Sequence, residues 1–146
     1  FVATKEIFEI KFWGKFFKAC GCIKVDKENV SMQTFKAVTK RLDDGHLVGI
    51  FPEGTVSNDN EIHAFKSGVI MMSLMSEADI MPVYIAKRTK GLHRQVVVFG
   101  NKIHLADYIK SPFPSMTEIN ELSKMLRDVE INLENKYNEY MDRKKK

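Results

Sequence analysis

The sequence predicts an α/β fold, with a mixed, largely parallel sheet flanked by helices. Segments with helical periodicity alternate with short apolar runs along the chain, which is the pattern of a layered α/β protein. Residues 47–51 form a continuous apolar run of the kind that buried parallel strands show. Because 146 residues are enough for one core, we expect a single domain over residues 1–146, whose last part, 117–146, is a helix and a basic tail.

Local signals place each element in turn. Strands are predicted at residues 1–3, 22–25, 47–51, 80–86 and 95–99, the last extending towards Ile103, and helices at residues 6–19, 31–42, 65–75 and 117–140. Ser31 is the expected N-cap of the second helix, which should end near Asp44 and Gly45. Pro82 lies inside a predicted strand, where proline indicates an edge position or a bulge. The apolar positions of the last helix share one face, because they recur at intervals of three and four: Ile119, Leu122, Leu126, Val129 and Leu133.

The charge distribution bears on possible partners. The formal net charge is +4, and residues 142–146 supply +3 of it, with four basic side chains and one acidic one. A nucleic-acid-binding protein spreads basic residues over a face of the fold, so we expect no nucleic-acid partner. The tail is either a solvated end or a segment attracted to anionic lipid. No apolar run reaches the roughly 18–20 residues needed to span a bilayer.

Cysteine and histidine spacing argues against a metal site. Cys20 and Cys22 are separated by one residue, which is unfavourable for a bridge between them, so we expect reduced, buried thiols in an intracellular setting. A zinc site needs about four ligands, and the histidines show no matching spacing.

Residues 51–55, Phe-Pro-Glu-Gly-Thr, are the most informative stretch. They follow a predicted strand, and ligands of open α/β sheets gather beyond the carboxyl ends of strands. Gly54 permits a sharp turn and a close approach of ligand to backbone. Glu53 could accept hydrogen bonds from substrate hydroxyls, and Thr55 could help to hold a phosphate. The same residues are also consistent with an ordinary turn.

Two lysines are further candidates for binding an anion. Lys66 lies at the start of the predicted helix 65–75, where free amides and the helix dipole favour negative charge. Lys27 follows the predicted strand 22–25. A solvated lysine is the alternative interpretation of each.

Four blocks, taken in order, resemble the family of 1-acyl-glycerol-3-phosphate (lysophosphatidate) acyltransferases, glycerolipid enzymes of phospholipid synthesis. The resemblance extends through about residue 100. The blocks are Phe1-Val-Ala-Thr-Lys-Glu6, Gly21-Cys-Ile-Lys-Val-Asp-Lys27, Phe51-Pro-Glu-Gly-Thr55 and Ile80-Met-Pro-Val-Tyr-Ile85.

This resemblance implies transfer of a fatty acyl group from acyl carrier protein or coenzyme A to the hydroxyl of a lysophosphatidate-like acceptor, without a resident cofactor. It implies acceptor binding by Lys27, Glu53, Gly54 and Thr55. It also implies a protein at the cytoplasmic face of the membrane, peripheral or anchored through a segment preceding Phe1.

The sequence departs from the family pattern at two places. The family's general base is a histidine that four residues separate from an aspartate, and none of the four histidines here has an aspartate five positions on. We expect that block before Phe1, so that this chain holds no catalytic residue and is inactive alone. Val56 also stands where the family usually has arginine, so either Lys66 supplies the positive charge or the acceptor's head group differs.

Several alternatives remain open. The aromatic residues of the predicted helix 6–19 have three interpretations. They pack in a core, they contact lipid, with Lys11, Lys15 and Lys18 on the flanks, or they are covered by helices that precede Phe1. The methionines of the helix 65–75 either fill the core or line an acyl groove. The chain could also be a non-catalytic module for lipid phosphate or acyl carrier, or a hydrolase that uses Glu53 as its base.

Overall fold

The computed structural model describes residues 1–26, 30–55, 61–87, 95–111 and 113–145, the side chain of Lys145 excepted. The chain forms two compact units, Phe1–Val56 with Lys66–Ala78, and Ser57–Phe65 with Asp79–Lys146. The predicted α/β class is confirmed, because helices accompany a parallel strand pair in the first unit and an antiparallel pair in the second. The interpretation as a single domain stays a prediction.

The first unit begins with a strand, a helix pair and a second strand. Strand β1 (Val2–Thr4) pairs in parallel with β2 (Ile23–Val25), and helices α1 (Lys5–Glu9) and α2 (Lys11–Ala19) connect them. The prediction of one helix over residues 6–19 was wrong, since the chain is extended at Ile10. The break lets α1 fold back on α2, and a Cβ at Gly14 would collide with the carbonyl of Phe8.

The predicted strand 47–51 is not formed as a strand. The Val2 amide donates to the carbonyl of Gly49 at 2.9 Å, which places the segment beside β1. The described residues of the segment make no ladder, and Leu47 is fully exposed. The apolar run therefore predicted correctly that this segment lies beside a strand, but it did not predict that the segment lacks the hydrogen-bond ladder of a strand.

Two helices supply the core of the first unit. Helix α3 (Met32–Asp43) begins as predicted, with the Ser31 side chain accepting from the Thr34 amide, and Gly45 ends it at a φ of +78°. It packs against α4 (Ser67–Ser76). The buried apolar residues are Val38, Ile70 and Met72. Met72 thus supports the core interpretation of the methionines, whereas Met75 is exposed.

The second unit packs a hairpin-like strand pair on a long helix. Strands β3 (Val83–Ile85) and β4 (Val97–Phe99) are antiparallel, and an isolated bridge joins Ile80 to Ile103. Pro82 shortens the predicted strand, because β3 begins only after it. Helix α5 (Met116–Lys145) buries Ile119, Leu122, Leu126 and Leu133 on the predicted face, and a 3₁₀ turn, Leu105–Tyr108, precedes it.

The packing of strands on α5 is mixed apolar and polar. Its buried cluster consists of Tyr84, Ala86 and Leu133, with Ile62, Val98 and Tyr137 packed around it. Arg127 of α5 donates from Nε to the carbonyls of Ile62 and His63, at 2.9 and 3.2 Å. No helix of the described chain is long and apolar enough to cross a bilayer.

Candidate functional site

The turn at residues 51–54 is built around one glycine. The Gly54 amide donates to the carbonyl of Phe51 at 3.2 Å, and Gly54 adopts a φ of +66°, a conformation that side-chain-bearing residues rarely take. Glu53 is half-buried in this turn, and Thr55 follows it in an exposed position. The turn predicted from the sequence is therefore formed, with a carboxylate before the glycine and a hydroxyl after it.

Lys66 reaches the same turn from the start of α4. Its amide donates to the carbonyl of Pro52 at 2.9 Å, and it occupies the N-cap position of α4. A Cβ placed on Gly54 would lie 3.0 Å from Cε and 3.2 Å from Nζ of Lys66. The structure thus brings together Gly54 and Lys66, which the sequence singled out separately.

The start of α4 adds to the positive character of this place. Free amides at a helix N-terminus and the helix dipole both favour an anion. The first turn of α4 carries no acidic residue, and a Cβ placed on Gly68 would meet no atom within 4 Å. An ammonium, a glycine with open space beside it and the amides of a helix N-terminus are the elements from which a phosphate site is made.

A second polar pair lies at the ends of the parallel strands. Lys5 Nζ and Asp26 Oδ2 are 2.6 Å apart, one residue beyond β1 and β2 respectively. Lys5 and Asp26 were not predicted to pair, although each lies in one of the blocks that carry the family resemblance. The signal was present, because the carboxyl ends of adjacent parallel strands meet at one edge of a sheet. Lys27, the neighbouring candidate, lies outside the described residues, as does Val56.

The structure also pairs a histidine with an aspartate that sequence spacing could not connect. His104 Nδ1 lies 2.9 Å from Asp79 Oδ1, and Lys102 Nζ lies 2.9 Å from Asp79 Oδ2. The hydrogen bonds from Lys102 and then His104 lower the pKa of Asp79. All three side chains are at least a third exposed. They flank the Ile80–Ile103 bridge, so the arrangement ties two segments of the sheet edge together.

The remaining candidates give a simpler picture. Cys20 is exposed and Cys22 half-buried, both as free thiols, so the expectation that both are buried was wrong. Cys20 lies just beyond α2, a helix that has no buried residue. Within residues 1–26, 30–55, 61–87, 95–111 and 113–145, histidine, cysteine, aspartate and glutamate form no group of three or more suited to a metal.

Comparison with known proteins gives the family. The model of the acyltransferase family matches residues 1–86. A 1-acyl-sn-glycerol-3-phosphate acyltransferase of Bacillus subtilis is 28% identical over 93% of this chain and 69% of that protein. The enzyme of that name from Streptococcus pneumoniae is 33% identical over 75% of this chain and 42% of that protein.

A solved structure agrees in fold. The crystal structure of the 1-acyl-sn-glycerophosphate (LPA) acyltransferase PlsC from Thermotoga maritima superposes with a TM-score of 0.65 at 17% identity. The match covers 92% of this chain and 55% of that one. The fold is therefore that of a glycerolipid acyltransferase, an α/β protein. With more than half of its residues matched by the family model, the chain belongs to the acyltransferase family.

Proposed function

We propose that this chain supplies the acceptor-binding part of an enzyme that moves a fatty acyl group from a thioester to a lysophosphatidate-like acceptor. Family membership and the names of the relatives support the reaction class. The observation that carries the proposal is the contact of Lys66 with the Gly54 turn at the start of α4. An ammonium held there can neutralise a phosphate that also meets helix amides.

Each residue of the turn has a role in this proposal. Lys66 binds the acceptor phosphate, and takes over from the arginine that Val56 replaces. Gly54 lets the Lys66 side chain lie against the backbone of the turn, because a Cβ at residue 54 would stand 3.0 Å from Lys66 Cε. Glu53 accepts a hydrogen bond from an acceptor hydroxyl, and Thr55 donates to a phosphate oxygen. Lys27 contributes a second positive charge.

The chemical step needs a base that this chain's histidine spacing does not provide. A histidine oriented by an aspartate, located outside these 146 residues, removes the proton of the acceptor hydroxyl. The oxygen attacks the thioester carbonyl, the carbon–sulfur bond breaks, and the departing thiolate takes the proton. The donor is acyl carrier protein or coenzyme A, and the protein works without a resident cofactor at the cytoplasmic face of a membrane.

Acyl transfer from a labelled thioester to lysophosphatidate tests the reaction. We compare this chain with a longer protein that carries a histidine–aspartate block before Phe1, and expect turnover only in the longer protein. Turnover by this chain alone would place the base within it, and His104→Gln would then test the pair with Asp79. Tight lysophosphatidate binding without turnover in either protein would favour a non-catalytic lipid-phosphate or acyl-carrier module.

Substitutions at Lys66 test the binding site in the longer protein. Loss of one charged phosphate contact in Lys66→Met should raise KM for lysophosphatidate about tenfold or more, whereas Lys66→Arg should retain binding. Lys40→Met is the matched control, an exposed lysine on α3. An unchanged KM in Lys66→Met would show that the phosphate binds elsewhere.

A further inference from the structure

Helix α2 separates its lysines from its aromatic rings. At 100° per residue, Lys11, Lys15 and Lys18 fall within one narrow sector. Phe12 and Phe16 follow directly beside that sector, so that rings and ammonium groups adjoin along the helix. The nine residues of α2 include no carboxylate, and none of them is buried. The helix is therefore strongly amphipathic while its apolar side stays uncovered within the described chain.

The fold of the helix pair determines which rings are outward. The backbone at Phe8 packs against Gly14, and the Phe8 and Phe17 rings lie 6.4 Å apart. Gly14 lies on the opposite side of α2 from Phe12 and Phe16. Those two side chains are accordingly 78% and 51% exposed. Packing of α1 on the Gly14 side thus leaves the phenyl rings facing outwards.

Two of the lysines and the two outward rings line one open hollow. About 490 Å³ of this hollow, which is largely open to solvent, lies against Lys11, Phe12, Lys15 and Phe16. We name these four residues the α2 face. Adjacent ammonium groups and phenyl rings can bind an amphiphile, because its anionic group pairs with the lysines while its hydrocarbon chain contacts the rings. The apolar interior of another protein would leave the ammonium groups without counter-charges.

We propose that the α2 face rests on the surface of a bilayer that contains anionic phospholipid. An interfacial helix places rings at the boundary of the acyl chains and lysines among the head-group phosphates. Pairing with a second copy of the chain would bring like charges together without carboxylates on α2 to neutralise them. This inference names the membrane contact of the enzyme proposed above and rests on that proposed function.

Trp13 makes the contact measurable. It is the single tryptophan of the chain, is 49% exposed, and lies on α2 with its ring 5.9 Å from that of Phe16. We mix the protein with vesicles of phosphatidylcholine, with or without phosphatidylglycerol. Vesicles that contain phosphatidylglycerol should sediment the protein and shift Trp13 emission to the blue, and brominated acyl chains should quench it. Neutral vesicles should do neither.

Matched variants separate the two parts of the face. Lys11→Gln with Lys15→Gln should lower the partition coefficient about thirtyfold at low salt, since each basic residue near an anionic surface contributes about 1 kcal/mol. The control is Lys36→Gln with Lys40→Gln, an exposed pair with the same spacing on α3. The partition coefficient of this control variant should stay within about twofold of that of the unsubstituted chain.

The rings have a control of their own. Phe12→Ser should lower partitioning about tenfold, because its buried ring area is lost from the acyl boundary. Phe113→Ser, at a ring that is 90% exposed, should not. Far-ultraviolet circular dichroism checks the fold of each variant, and the Phe12 and lysine variants report independently of one another.

Three results would overturn the inference. They are equal binding to neutral and anionic vesicles, unchanged binding of both α2 variants, and a concentration-dependent dimer whose Trp13 emission is blue-shifted without lipid. Acyl transfer by the longer protein is measured separately, with the acceptor in detergent micelles. Transfer there without vesicle binding would reject the α2 face and leave the proposed acyl-transfer reaction standing. Vesicle binding without transfer would support the α2 face and reject the proposed reaction.

Discussion

Lys66 lies over Gly54, with its Cδ 3.1 Å from where a Cβ of residue 54 would stand. Two backbone features produce this contact. The positive φ of Gly54 turns the chain back on itself, and the hydrogen bond from the Lys66 amide to the Pro52 carbonyl brings residue 66 alongside. Because the contact depends on the missing side chain of Gly54, a single methyl group tests it.

Gly54→Ala should affect both stability and acceptor binding. An alanine at φ +66° costs about 1 kcal/mol of the free energy of unfolding, and its methyl group, 3.0 Å from Lys66 Cε, forces the end of the Lys66 side chain to shift. We expect a shift of that size in urea denaturation and about tenfold weaker lysophosphatidate binding by titration calorimetry.

Gly45→Ala is the control for strain alone. Gly45 has a φ of +78°, and a Cβ there meets no atom within 4 Å. It should destabilise the chain by a similar amount and leave lysophosphatidate binding unchanged. Equal weakening of binding in both variants would mean that strain, and not displacement of Lys66, is responsible.

Tyr84 should make the fold sensitive to alkaline pH. It is buried, its hydroxyl donates to Glu134 at 3.1 Å, and burial, together with the Glu134 carboxylate, raises its pKa to about 12. The folded state thus favours the neutral phenol, which gives stability below the ordinary pKa of 10.0 that is lost as pH rises towards 12. Urea midpoints of the unsubstituted chain should fall across that interval.

Tyr84→Phe isolates this group. The variant should lose about 1 kcal/mol at neutral pH, through the missing hydrogen bond, and show a smaller decline between pH 10 and 12. Tyr108→Phe, at an exposed tyrosine, is the control. An undiminished alkaline decline in Tyr84→Phe would assign it to another group.

The accuracy of the sequence predictions depended on how local the signals were. Helix α3 could be predicted closely, because Ser31 and Gly45 specify its ends through contacts within a few residues. The break at Ile10 could not, since it accompanies packing of the Phe8 backbone on Gly14, which is a tertiary contact.

In the candidate site, too, local features could be predicted from the sequence and tertiary contacts could not. Its turn could be predicted from Pro52, Glu53 and Gly54, which are adjacent in the chain. The contact between Gly54 and Lys66 requires a backbone hydrogen bond across the intervening segment, and no residue pattern encodes it. The pair of Lys5 and Asp26 lies between these extremes, because parallel pairing of two predicted strands would have implied it.

Asp79 should stabilise the fold only above acidic pH. Lys102 and then His104 lower its pKa through hydrogen bonds. A lowered pKa gives stability that is present above the ordinary value of 3.8 and is lost as pH falls through the folded-state value. Asp79→Asn should therefore have a lower urea midpoint than the unsubstituted chain near neutral pH, and the difference should vanish in strong acid.

The control for Asp79 is Asp128→Asn, at an exposed carboxylate on α5. It should show little difference at either pH. A difference between Asp79→Asn and the unsubstituted chain that persists in strong acid would attribute the effect to packing and not to charge.

The start of α5 is closed by a reciprocal pair of hydrogen bonds. The Ser115 amide donates to Glu118 Oε2 at 2.8 Å, and the Glu118 amide donates to Ser115 Oγ at 3.2 Å. Ser115→Ala should lower the free energy of unfolding by about 1 kcal/mol in urea denaturation, because a helix amide loses its acceptor. Thr117→Ala, at an exposed hydroxyl two residues on, should cost less than half as much. Equal losses in the two variants would show that the two hydrogen bonds of the cap do not determine the stability of this end.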